Sequence, residues 1–134
     1  MRKTTVVPYK RKLRNITDYR KRMKLLAGNM PRLVVRKSLN HVNAQIIEFN
    51  PKGDKVIAAA HSTELKKYGW QFHSGNLPAA YLTGLLIGHR ATYHKIKKAV
   101  LDLGLSHSVP GSSPYALVKG ALDAGLEIPH SKEM

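Results

Sequence analysis

Cysteine is absent from all 134 residues. Disulfides, thiolate zinc sites and cysteine nucleophiles are excluded together, a composition consistent with a cytosolic protein although it does not by itself fix the compartment. Acid is scarce: eight Asp and Glu stand against 23 Lys and Arg, for a net charge of +15. Long apolar runs are missing too. The longest mostly apolar stretch, Leu77 to Gly88, falls short of a membrane span, and the charged N-terminus has no apolar segment resembling a signal peptide. The chain reads as soluble and intracellular. With 43% apolar residues it is long enough to bury a real core as one domain.

What is there in excess is positive charge, and it is unevenly spread. Residues 1–37 hold thirteen Lys and Arg against one acid, a net +12, while 38–134 carry only +3. Like charges held this close repel, so folding alone gives no reason to collect them; a polyanion that replaces their counterions does. Met1 to Asn15 has no apolar periodicity and contains Pro8, which predicts an extended arm. In it Tyr9 lies beside Lys10, Arg11 and Lys12, with Arg14 following. An aromatic ring among cations suits RNA, because the ring stacks on a splayed base while the cations hold phosphates. A merely solvated basic tail is the competing reading.

Thr17 or Asp18 can cap a short helix with Ile16, Tyr19, Met23 and Leu26 three and four residues apart, ended by Gly28 and Asn29. That stripe is expected to dock on the body while Arg20, Lys21, Arg22 and Lys24 present cations. The expected division is a basic arm and short helix at 1–30, the candidate RNA-binding segment, and a globular α/β domain at 31–134. Arg32 to Ser38, His41 to Phe49 and, after the turn Asn50 to Asp54, Lys55 to His61 read as three antiparallel strands. Alternation in the first puts Leu33 and Val35 on one face and Arg32, Val34 and Arg36 on the other, next to Lys37. Arg32 and Arg36 are candidates for phosphate contact, with ordinary solvent exposure as the alternative.

Lys66, Lys67 and the lone Trp70 form a second aromatic and basic cluster, either an RNA-stacking platform or core. Asn76 and Pro78 start a long helix whose Leu77, Ala80, Tyr81, Gly84, Leu85 and Gly88 form one face, the glycines implying close approach to the sheet. Ala99 to Leu103 reads as a parallel, doubly covered strand. Ser112 or Ser113 and Pro114 start a last helix, with Tyr115, Val118 and Leu122 inward and Gly125 as the stop. The order predicts an α/β fold with a mixed sheet, three antiparallel strands followed by a βαβ unit.

Catalytic patterns are weak. His89 and His94 are five apart with no carboxylate at ligand spacing, and PGSSP lacks the second glycine of a nucleophile elbow. The strands offer only Glu48, Asp54 and Asp102 for metal-ion nuclease chemistry.

In order along the chain, TDYRKRMKLL at 17–26, PRLVVRKS at 31–38, AQIIEF at 44–49, ELKKYGW at 64–70, GNLPAAYLTGLLIG at 75–88, AVLDLGL at 99–105 and KGALDAGLEIPHS at 119–131 resemble the 5S rRNA-binding large-subunit ribosomal protein of the L-eighteen family, in its archaeal and eukaryotic branch. The resemblance implies a ribonuclease-H-like fold of the translation machinery without nuclease activity, placed in the central protuberance of the cytoplasmic ribosome. Its implied partners are 5S rRNA, 23S rRNA and neighbouring large-subunit proteins, and no cofactor is implied. The family's main 5S rRNA contacts map to Tyr9 to Arg14, Tyr19 to Arg22, and Arg32 to Lys37. Many archaeal relatives continue past the IPHS segment, so contacts of their C-terminal extension are not carried over. A ribonuclease-H-like nucleic-acid enzyme and a nonspecific DNA-binding chromatin protein are the alternatives in other classes.

Overall fold

The computed structural model describes residues 10–14, 16–17, 19–28, 30–104 and 111–129. A one-turn helix, α1 (Lys10–Leu13), and α2 (Tyr19–Leu26) precede β1 (Arg32–Lys37), β2 (Val42–Glu48) and β3 (Lys55–His61). A 3-10 helix (Ser62–Tyr68) leads to α3 (Leu77–Tyr93), β4 (Val100–Asp102) and α4 (Ser113–Asp123). The arm expected to be extended therefore contains a helical turn, with the Arg14 N–H donating to Lys10 O at 3.2 Å.

The sheet has four strands in the order β3-β2-β1-β4. β1 pairs antiparallel with β2, β2 antiparallel with β3, and β4 lies parallel to β1 with Leu33 opposite Leu101. The helix α3 thus connects the two outer strands across the whole sheet. The β2–β3 turn forms where expected: Asn50 Oδ1 accepts from Lys52 N at 3.0 Å, and Gly53 adopts φ 140°, open to glycine but strained for other residues.

One face of the sheet is sealed. Leu33, Val35, Val42, Ala44, Ile46, Ala58 and Ala60 pack in one cluster with Ile87 and Ala91 of α3 and with Leu117, Val118 and Ala121 of α4. Asn76 caps α3 by accepting from Ala79 N at 2.9 Å, with Pro78 in the first turn.

The glycine stripe works differently from the expectation. A Cβ at Gly84 would lie 1.9 Å from Leu117 O, at Gly88 2.5 Å from the Ala124 Cβ, and at Gly120 2.1 Å from Tyr81 O. The close approach is therefore between α3 and α4, not between α3 and the sheet. Small residues recur on both helices because backbone meets backbone there. The inner side of α4 is correspondingly Leu117, Val118, Gly120 and Ala121, with Tyr115 and Leu122 only partly buried beside it. Within α3, Leu77 is 48% exposed, so it leaves the buried face it was assigned to, whereas Thr83 joins the core by donating from Oγ1 to Ala79 O at 2.8 Å.

Among the described residues, the strand at 100–102 packs on the helical core through Leu101, opposite Leu33. On its other side Asp102 is buried beneath arginine side chains, which corrects the doubly covered reading. The short apolar run looked alike in both cases because three residues cannot reveal which face is sealed.

Candidate nucleic-acid interface

The face of the sheet away from α3 and α4 carries Arg32, Val34 and Arg36 of β1, and strand alternation places all three there. Arg11, Ile16, Thr17, Tyr19 and Arg22 of the N-terminal segment stand opposite this face. Between them is a cleft of about 540 Å³, lined among others by Arg11, Tyr19, Arg22, Arg32, Arg36 and Phe49. Segments separated along the chain thus present four guanidinium groups and two aromatic rings to one space.

Two carboxylates organise those groups. Asp54, at the end of the β2–β3 turn, accepts from Arg22 through Oδ1 at 2.9 Å and from Arg32 through Oδ2 at 2.8 Å. Asp102, at the end of β4, accepts from Arg32 through Oδ2 at 2.8 Å and from the Gly104 N–H through Oδ1 at 2.8 Å. Arg36 bends back along the strand, donating to the backbone carbonyl of Asp102 at 3.0 Å and lying against Gly104, where a Cβ would sit 2.7 Å from its Cζ.

Arg32 is therefore not the solvent- or phosphate-facing residue that alternation suggested. It is 4% exposed, and its guanidinium ties the β2–β3 turn to β4, whereas Arg36, on the same face, keeps a side chain that is 48% exposed. A buried guanidinium is tolerable because two carboxylates meet it, Asp102 at Nη1 and Asp54 at Nη2.

Arg22 is the tether of α2. Its hydrogen bond and charge hold the Asp54 carboxyl below its ordinary 3.8, with Arg32 adding to the effect, while the same hydrogen bond raises Arg22. The apolar stripe does less than expected: Met23 is 72% exposed and Ile16 48% exposed, while Tyr19, Leu25 and Leu26 are half-buried. Polar anchoring at Asp54 substitutes for a docked apolar stripe. Arg11 Nε also donates to Thr17 Oγ1 at 2.8 Å, bracing the turn between α1 and α2.

Other sequence-predicted residues fall into three groups. Lys10, Arg14, Arg20, Lys24 and Lys37 are exposed. Tyr9 lies outside the described residues, as do the side chains of Lys12 and Lys21. Lys66, Lys67 and Trp70 are not brought to the cleft. They sit in and just after the 3-10 helix, which packs on α3 and the end of β3.

Sequence reasoning had noted Asp54 and Asp102 only as sparse acids. Their presence at strand boundaries in an acid-poor chain was the available signal, but their common partner, Arg32, lies 70 residues from Asp102. The carboxylate oxygens of both accept hydrogen bonds, so neither acid presents a free pair of donors of the kind metal-ion chemistry uses. Among the described residues no group of three His, Asp or Glu side chains is placed to hold a metal ion.

Residues 3–98 match the family model described as ribosomal large subunit proteins 60S L5 and 50S L18. The chain is also 52% identical over 128 residues to a protein named large ribosomal subunit protein uL18 from Methanococcus maripaludis, an alignment that covers 96% of this chain and 66% of that relative. The chain thus spans just under two thirds of the relative's length.

Proposed function

The chain belongs to the family of ribosomal large-subunit proteins 60S L5 and 50S L18, and from that premise we propose that it is a structural constituent of the large subunit that binds 5S rRNA and helps attach it to 23S rRNA in the central protuberance of the cytoplasmic ribosome. Its partners are these two RNAs and neighbouring large-subunit proteins. It performs no catalysis. The fold is ribonuclease-H-like, a reading supported by a sheet in which three antiparallel strands are followed by a fourth parallel to the first.

The observation that carries the RNA reading is the cleft between the basic N-terminal segment and the open sheet face. Cations concentrated along one side of a fold neutralise phosphates and release counterions, and the exposed Arg36 and the ring of Tyr19 give that side groups that discriminate RNA shape from charge alone. The exposed contacts are Lys10, Arg11, Arg14, Arg20, Lys24, Arg36 and Lys37, joined by Tyr9, Lys12 and Lys21. Arg22 and Arg32 shape the surface from beneath. Lys66, Lys67 and Trp70 belong to a separate surface.

Affinity for 5S rRNA, for a scrambled RNA of equal length and for duplex DNA, measured across salt concentrations, tests this. Neutralising about five to eight phosphates gives a slope of log affinity against log salt of roughly −4 to −7, with 5S rRNA bound tightest at every salt. Equal affinities for all three would reduce the protein to a nonspecific nucleic-acid binder.

A further inference from the structure

Away from the basic face, large apolar side chains gather at one open place. The 3-10 helix ends at Gly69 in the left-handed conformation, φ 94°, which turns the chain so that the Trp70 N–H donates back to Leu65 O at 3.1 Å. Across from it α3 presents Leu82, Leu85, Leu86 and His89, three and four residues apart and so on one helix face. With Leu65, Tyr68 and Trp70 these line a groove of about 340 Å³. Phe72 extends it, its ring set edge-on to Trp70 at 5.3 Å. Tyr68 and Phe72 are 72% and 71% exposed. Clustered exposure of this kind marks a surface that a partner covers.

We propose that this groove docks an amphipathic helix of a protein partner, apolar residues seated between the 3-10 helix and α3 and acidic residues facing Lys66 and Lys67. Charge complementarity selects the occupant. Lys66 and Lys67 stand exposed on the 3-10 helix beside the groove, and Glu64 of the same helix is already held by Arg90. The lining selects the form, because aliphatic side chains on facing helical elements accept the i, i+3, i+4 and i+7 anchors of a helix. A nucleobase is the poorer fit. It needs polar partners for its edges, whereas half of the lining is leucine and the Trp70 Nε1–H is committed to His73 O at 3.3 Å. This surface belongs to the helical layer, so the proposal does not rest on RNA binding at the open sheet face.

Trp70 is the only tryptophan, and its fluorescence reports occupancy directly. The full chain is titrated with a synthetic helical peptide carrying leucines at i, i+4 and i+7 and flanking glutamates. The expected result is a saturable blue shift, with a peptide of the same composition in scrambled order binding about tenfold more weakly or worse. Lys66→Glu combined with Lys67→Glu, both at exposed positions, should weaken the glutamate-flanked peptide and strengthen a lysine-flanked one, while Leu82→Ala weakens both. Absence of a saturable shift with either peptide, indifference to residue order, or no response to charge reversal would overturn the proposal. So would a single-stranded RNA that shifts Trp70 and displaces the peptide, since the groove would then be a nucleic-acid platform. Binding of 5S rRNA by the same variants, measured in parallel, separates failure here from failure of the RNA reading.

Discussion

On the helical side of the sheet, α3 and α4 approach until backbone touches backbone at Gly84 and Gly120, and the seal is made of Leu, Val, Ile and Ala. On the open side the described contacts over β1 are polar at their centre: Arg32 binds Asp54 and Asp102, and Arg22 brings α2 in through Asp54. The first side is held by contacts that have no polar alternative in water. The second is held by ion pairs centred on the buried Arg32, while Arg36 beside it on the same strand face stays half-exposed.

The largest effect should come from violating the helical seal. Gly84→Ala places a methyl 1.9 Å from a backbone oxygen, which no rotamer relieves, so a loss of roughly 3 kcal/mol or outright unfolding is expected in urea denaturation. Tolerance of that substitution would mean the two helices are not locked together.

Next is the centre of the ion network. Arg32→Met keeps the aliphatic stem but leaves Asp102, whose side chain is 8% exposed, with only the Gly104 N–H and Arg36 at 3.7 Å, and should cost about 3 kcal/mol by the same measurement. A loss as small as that of an exposed ion pair would show that the network is incidental.

Asp54→Asn should cost only about 1 kcal/mol in global stability, because this carboxylate and Arg22 are partly exposed to water. It should raise amide exchange in α2 while leaving α3 and α4 protected. Acid should act in the same direction. The folded state holds Asp54 below 3.8, so its contribution is complete above about that pH and is lost as pH falls through the lowered value; Glu64, held below 4.5 by the hydrogen bond from Arg90, behaves alike. Release of α2 on raising the pH instead would contradict the tether.

The smallest effect on stability, and the sharpest on recognition, belongs to Arg36→Lys. The half-exposed side chain should change unfolding by about 0.5 kcal/mol or less, while 5S rRNA affinity falls by more than affinity for scrambled RNA, since lysine cannot reproduce a guanidinium's paired hydrogen bonds or stacking. Arg11→Lys serves as the control and should lower both affinities little and equally.

By itself the sequence determined the gathering of charge in residues 1–37, the three hairpin-connected strands, the turn at Asn50 to Asp54, the cap at Asn76 and the alternation that sends Leu33 and Val35 inward. These are local matters of backbone conformation, capping and period, each decided within a few residues. Tertiary structure alone decided what each face meets. Arg32 and Arg36 share a strand face, yet only Arg32 is buried, because Asp54 and Asp102 arrive from a turn and a strand far along the chain. Likewise Gly84 and Gly88 announced a close approach without naming α4 as the partner, and Met23 fitted a helical stripe that the body never covers. Periodicity assigns a side chain to a face, while burial and ion pairing depend on which distant segment comes to lie against it.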